Sequence, residues 1–122
     1  MLQLRSYLRP ADNSGAKVLM VMHIYKGSKH KSANIGDTVL AVVKEATPTG
    51  LIKKKEKVRV VIVRTRKEFH RADGTHIRFS DNAGVIIDSQ NNPRGTRIFG
   101  PIAREIKDLG FNKIASMAKE VY

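Results

Sequence analysis

Cysteine and tryptophan are both absent from this chain. Without cysteine there is no disulfide, no thiolate-bound zinc, no iron–sulfur cluster and no thiol nucleophile. The same absence favours a reducing compartment, because small secreted domains usually rely on disulfides. Aromatic residues are scarce, three tyrosines and four phenylalanines, which argues against a surface built mainly to stack unpaired bases. Long apolar runs are missing too. Residues 18–22 (VLMVM) and 60–63 (VVIV) fall far short of the ~20 residues that a membrane-spanning helix needs. The opening MLQLRSYLRP has scattered apolar residues and no small-residue cleavage pattern, so it reads as neither a secretion signal nor a transit peptide. Acidic residues are few: 11 against 23 lysines and arginines, a formal net charge of +12.

What is present suits one domain. With 122 residues, 41 % of them hydrophobic, the chain can build its own core. We expect a single unit over 1–122, with a β-barrel and its loops at 1–100 and a helical segment at 101–122. Glycine, asparagine and proline punctuate the first hundred residues at short intervals, as at Asn13-Ser14-Gly15, Pro48-Thr49-Gly50, Asp73-Gly74 and Asn91-Asn92-Pro93. Between them lie runs rich in β-branched residues at 17–25, 38–46, 58–65, 75–79 and 84–88. Short strands at near-regular spacing predict a small all-β barrel or sandwich. The unbroken apolar runs need cover on both faces, from a barrel interior on one side and a helix or partner protein on the other. Hairpin arms are expected around Pro48-Thr49-Gly50 and Asp73-Gly74. Pro101 and Gly110 bracket a first short helix with Ile102, Ile106 and Leu109 on one face. A second follows, with Phe111, Ile114, Met117, Ala118 and Val121 on its apolar side.

The charge is concentrated. Between residues 53 and 71, nine basic residues meet only Glu56 and Glu68, and Lys26, Lys29, His30 and Lys31 form a second cluster. Residues 101–122 are nearly balanced. A one-sided basic face repels itself unless a polyanion neutralises it, and nucleic acid does so with release of counterions. The predicted helices are too short and too balanced for a major-groove reader. Recognition of phosphate backbone and RNA shape remains. Catalysis finds little support. Asp12, Asp37, Asp73 and Asp81 fall in turns, where aspartate commonly bonds its own backbone. His70 and His76 flank a turn and could face each other across a hairpin, a weak metal signal on its own. No phosphate-binding glycine loop is present. A free nucleic-acid chaperone and a Mg²⁺-dependent nuclease stand as alternatives to an RNA-embedded structural protein.

Specific motifs sharpen this reading. They are ADNSGAK (11–17), IGD (35–37), VKEATPTG (43–50), VIVRTRK (61–67), ADGTHIRF (72–79), DNAGVIID (81–88), GTRIFGPIAREI (95–106) and a closing KIASMAKEVY. In this order, over essentially the whole chain, they resemble the universal uL-fourteen family of large-subunit ribosomal proteins, bacterial or organellar type. The resemblance implies a five-stranded OB-like β-barrel with a projecting β-hairpin ribbon and two short C-terminal helices. It implies no enzymatic activity, metal or cofactor. It implies a ribosomal location, in bacterial cytoplasm or in a plastid or mitochondrial matrix. The implied partners are large-subunit (23S-type) rRNA, small-subunit rRNA across an intersubunit bridge, large-subunit protein nineteen and a ribosomal silencing factor.

Carried onto this sequence, the resemblance makes Asn13, Ser14 and Gly15 a tight turn against RNA. Lys17, Lys29, His30, Lys31, Lys44, Lys53, Lys54, Lys55, Arg64, Arg66, Lys67, Arg71 and Arg78 would contact rRNA, the arginines suiting bidentate phosphate contacts. Arg94, Thr96, Arg97, Lys113 and Ser116 would face the small subunit or the factor, while Ile98 and Phe99 pack inward. Three positions depart from the family pattern. Pro10 implies an early end to the first strand. Lys55 replaces a usual glycine and implies a different local backbone. Lys119 replaces a usual proline and implies a longer last helix.

Overall fold

The computed structural model describes residues 2–25, 32–50 and 52–122; the expected sites Lys29, His30 and Lys31 lie outside them. Among the described residues, nine strands run in the order β1 (Leu2–Gln3), β2 (Tyr7–Pro10), β3 (Ala16–Ile24), β4 (Ser32–Ala33), β5 (Thr38–Ala46), β6 (Lys57–Arg64), β7 (Phe69–His70), β8 (His76–Ile77) and β9 (Ala83–Ile87). Helices α1 (Glu105–Asp108) and α2 (Asn112–Met117) follow. Strands β2, β3, β5, β6 and β9 close into a five-stranded barrel. Its seam is the parallel β2–β9 pair, Arg9↔Ala83 and Pro10↔Gly84, and the other barrel pairs are antiparallel. Closure leaves no free barrel edge to pair with another chain.

Four barrel strands stand within two residues of their predicted positions. The fifth is β2, not the stretch at 75–79. Strand β2 is too short to show a period, and it ends at Pro10, as expected. The proline costs no seam hydrogen bond. The flanking Arg9 and Ala11 amides donate to the Asn82 and Gly84 carbonyls at 2.9 and 2.7 Å, and Pro10 lies between these donors. The 75–79 stretch contributes only β8, which pairs with β7 as a small ribbon outside the barrel.

Strand alternation sorts the β-branched run of β6 onto two cores. Val58, Val60 and Ile62 point into the barrel with Leu8, Leu19, Val21, Val39, Val43 and Ile86. Val61 and Val63 point outward, with Val85 and Ile87 of β9, and are covered by Ile102, Ala103, Ile106 and Ile114 of the C-terminal segment. The run at 60–63 is therefore covered on both sides, as its apolar continuity demanded. Residues 18–22 differ, for Leu19 and Val21 are buried whereas Met22 stays 42 % exposed. The barrel interior is tight at Gly84, where a Cβ would lie 2.3 Å from Val60 Cγ1 and 2.9 Å from Leu8 Cδ1.

The C-terminal segment also departs from expectation. The first helix starts at Glu105 rather than Pro101, because residues before it are tied to the barrel: the Ala103 amide donates to Val63 O. Ile102 and Ile106 are buried, but Leu109 is 59 % exposed and Phe99 54 % exposed, so neither packs inward as predicted. Val121 is likewise exposed. Helix α2 is not lengthened by Lys119. It stops at Met117 because Ala118 turns extended, and the last residues pair with Ile102 instead, through Ile102 N–H to Glu120 O at 3.0 Å and Tyr122 N–H to Ile102 O at 2.9 Å.

The connection 47–56 does not project as an arm. Its described residues are held against the barrel, with Ile52 fully buried and the Thr47 amide donating to Gly15 O at 2.7 Å. Lys55 sits there at φ 71, donating its amide to Val43 O at 2.7 Å. That is the left-handed conformation that glycine adopts freely. The backbone is thus the one a glycine would take, contrary to expectation, and the lysine bears the strain.

Candidate nucleic-acid interface

Once folded, eight of the nine basic residues at 53–71 fall into two groups, the ninth being the half-buried Arg59 over the Tyr25 ring. Lys53, Lys54, Lys55, Lys57, Arg66 and Lys67 are exposed. Arg64 and Arg71, expected as phosphate holders, have their guanidinium groups paired within the chain. The Arg64 side chain, 9 % exposed, forks onto Asp81 with Nε–Oδ1 at 3.0 Å. Its Nη1 donates to Phe99 O at 2.8 Å and Pro101 O at 2.9 Å. Gly100 lets the chain wrap this guanidinium: its φ is +79 and a Cβ would meet Nη1 at 2.6 Å. The Arg71 guanidinium pairs with Glu105, Nε–Oε1 at 2.6 Å, and donates to the Tyr122 carbonyl, fastening the β7–β8 ribbon to α1 and the last residue.

The Asp12–Gly15 turn also makes contacts within the chain, with Asp12 and Ser14 buried, Gly15 half-buried and Asn13 exposed. Ser14 is buried and its hydroxyl donates to Asp12 Oδ1 at 2.7 Å. Asp12 Oδ2 accepts from the Ile86 amide at 3.1 Å. Burial raises the Asp12 carboxyl above its usual range, against the lowering effect of these hydrogen bonds. Asn13 Oδ1 accepts from the Thr96 and Arg97 amides at 2.8 and 3.0 Å, and its Nδ2 donates to the Thr96 hydroxyl at 2.8 Å. The close backbone approach at Gly15 is to Gly50, whose Cβ would lie 2.9 Å from Gly15 Cα. The other turn aspartates also serve the chain: Asp37 accepts from the Asn34 amide, Asp73 from Thr75, and Asp81 from Arg64. The Thr75 hydrogen bonds hold the Asp73 carboxyl below its usual range.

The structure does bring other cations together. Arg9, Lys17 and Arg66 line an open groove of about 770 Å³ with Tyr7, Glu45 and Ser80. Arg66 and Arg78 line a second of about 440 Å³, which shares Ser80. The segment 80–82 lines the first groove, and its Ser80 lines the second as well. It is held by Arg66 Nε to Ser80 O at 3.0 Å, by the Arg66 amide to Asn82 Oδ1 at 2.9 Å, and by the Arg64–Asp81 pair. Arg64 thus positions a basic strip without belonging to it. Arg9 was missed in the sequence because it stands alone there; only the parallel seam sets it beside Arg66. Tyr25 is one of the few aromatics next to a basic cluster in the sequence. It is 46 % exposed, with His23 edge-on at 5.1 Å and Arg59 over its ring at 5.4 Å.

The remaining expected residues lie apart from this strip. Lys44 is exposed at the end of β5, and Lys53, Lys54 and Lys55 are exposed on the folded-over connection. Arg94 pairs with Glu56 across the surface at 3.1 Å. Thr96 and Arg97 are exposed on the loop pinned by Asn13, and Lys113 and Ser116 are exposed on α2, where the Ser116 hydroxyl donates to Lys113 O. No helix among the described residues is long and apolar enough to cross a membrane.

A small closed barrel with a large excess of exposed cations defines the class: a basic β-barrel protein whose surface suits a polyanion. The chain belongs to the ribosomal protein L14p/L23e family, whose model matches residues 1–122. Membership implies a structural role in the large ribosomal subunit, binding to rRNA and a location on the ribosome.

Proposed function

We propose that this chain holds large-subunit rRNA through phosphate contacts of its exposed cations and contributes to a bridge with small-subunit rRNA. The observation that carries the first part is the contrast within residues 53–71: the lysines and Arg66 reach solvent without a carboxylate partner among the described ion pairs, whereas the internally paired arginines do not. The phosphate ligands are Arg9, Lys17, Lys44, Lys53, Lys54, Lys55, Arg66, Lys67 and Arg78. Arg94, Thr96, Arg97, Lys113 and Ser116 face the small subunit or a silencing factor. Large-subunit protein nineteen is the expected protein neighbour.

Cross-linking in intact ribosomes tests this reading. Cross-links from residues 53–57 and 66–67 to large-subunit rRNA, and from 96–97 or 113–116 to the small subunit, are the expected result. A protein that leaves the large subunit during sedimentation at moderate salt would instead be a free RNA chaperone. In solution, affinity for RNA should fall steeply with salt, each neutralised phosphate contributing about 0.7–0.9 to the logarithmic slope.

A further inference from the structure

The β7–β8 ribbon carries three side chains that the RNA-binding reading does not use. Phe69 and Ile77 pair across the ribbon, and both pack against the outer core. Strand alternation therefore turns Glu68 and His70, two residues apart, to the opposite face, together with His76, the partner of His70. Directly opposed residues hold their Cβ atoms ~5 Å apart. Here the imidazole centroids are 4.1 Å apart with planes at 63°. His76 Nδ1 lies 3.4 Å from Glu68 Oε2. One ligand atom from each of the three residues lies within 4.8 Å of the other two.

We propose that Glu68, His70 and His76 form a binding site for a divalent ion of the zinc type. Two imidazoles and one carboxylate are the donor set that suits Zn²⁺, and imidazole does not suit Mg²⁺ or Ca²⁺. Ligand atoms bound to a tetrahedral zinc lie about 3.3 Å apart, a spacing that the Glu68–His76 pair already has. His70 closes on them by side-chain rotation, for which the surface leaves room: the His76 and Glu68 side chains are 49 % and 51 % exposed. The ion would clamp the two strands of a ribbon that has only two residue pairs. Its open coordination position faces solvent. The proposal uses none of the cations assigned to rRNA and stands independently of that assignment.

The test is titration of the full-length protein with Zn²⁺ alone, followed by calorimetry and by the imidazole resonances, and with Co²⁺, followed by visible absorption. One saturable equivalent, a tetrahedral Co²⁺ spectrum and shifts confined to His70 and His76 are expected. His70→Gln and His76→Gln should each weaken binding ~10-fold or more, with circular dichroism unchanged because both positions are exposed. Glu68→Gln should weaken it less. Absence of saturable binding, or equal binding by the H70Q/H76Q double variant, would overturn the proposal.

Discussion

Replacing Arg64 by methionine distinguishes a phosphate ligand from an internal clamp. The substitution keeps the aliphatic bulk and removes five donors. It strands the Phe99 and Pro101 carbonyls, which Nη1 reached at 2.8 and 2.9 Å, and leaves Asp81 without its partner. Breaking a buried ion pair from one side costs ~3–5 kcal/mol. Asp81 keeps 28 % exposure and so regains some hydration, which puts the expectation near the lower bound, about 3 kcal/mol. For a domain of this size that is a drop of roughly 10–15 °C in Tm. Urea unfolding of the RNA-free protein measures it. Lys54→Met is the control: the side chain is exposed, so stability should stay within ~0.5 kcal/mol while the salt slope of RNA binding falls by about one. Arg64→Lys should behave like the methionine variant, because a single ammonium cannot reproduce the fork. If Arg64→Met leaves the urea midpoint in place and weakens RNA binding at a temperature where both proteins are folded, the clamp assignment is wrong.

Two further substitutions test other parts of the fold. Asp12, raised by burial, binds a proton more readily folded than unfolded, so between its unfolded value of about 3.8 and its higher folded value stability rises as pH falls. Asp12→Asn should remove that contribution and cost ~1–3 kcal/mol near pH 7, since an amide that keeps the Ser14 bond cannot also accept from Ile86; urea midpoints of both proteins at pH 4 and 7 give the difference, and an unchanged difference at the two pH values would refute the shift. Lys55→Gly should stabilise the free protein by ~0.5–1 kcal/mol, the left-handed penalty relieved less the extra unfolded-state entropy of glycine. The same variant should lose RNA affinity, and a destabilised Lys55→Gly would mean that φ 71 is not its conformation in solution.

Local pattern carried most of the architecture. Strands β3, β5, β6 and β9 were legible because alternation and β-branched content are properties of a few consecutive residues, and Gly110, at φ +95 just beyond α1, was legible as a helix stop. Strand β2 was not, because four residues ending in proline show no period until β3 and β9 pair with them. The exposure of Leu109 and Phe99 was invisible for a similar reason. Helical spacing says which residues share a face, but not how far the opposing surface extends.

The motifs that revealed the family were legible as words but not as contacts. VIVRTRK, DNAGVIID and GTRIFGP meet at one guanidinium, that of Arg64, while ADNSGAK meets GTRIFGP at Asn13. Their glycines and polar residues serve the junctions of the barrel before they serve any ligand.

Composition and periodicity by themselves determined that this is a cysteine-free, strongly cationic, mainly β chain, barrel or sandwich, since charge sums and alternation need no knowledge of distant contacts. The tertiary structure alone decided which cations remain available to phosphate. Arginines in one run share the same neighbours in sequence, but Arg64 meets a carboxylate 17 residues away and a carbonyl 37 residues away, and Arg66 two positions later meets solvent. The chain turns one side chain against the C-terminal segment at the end of β6 and, beyond that strand, leaves the other outside, and their different exposure follows from that.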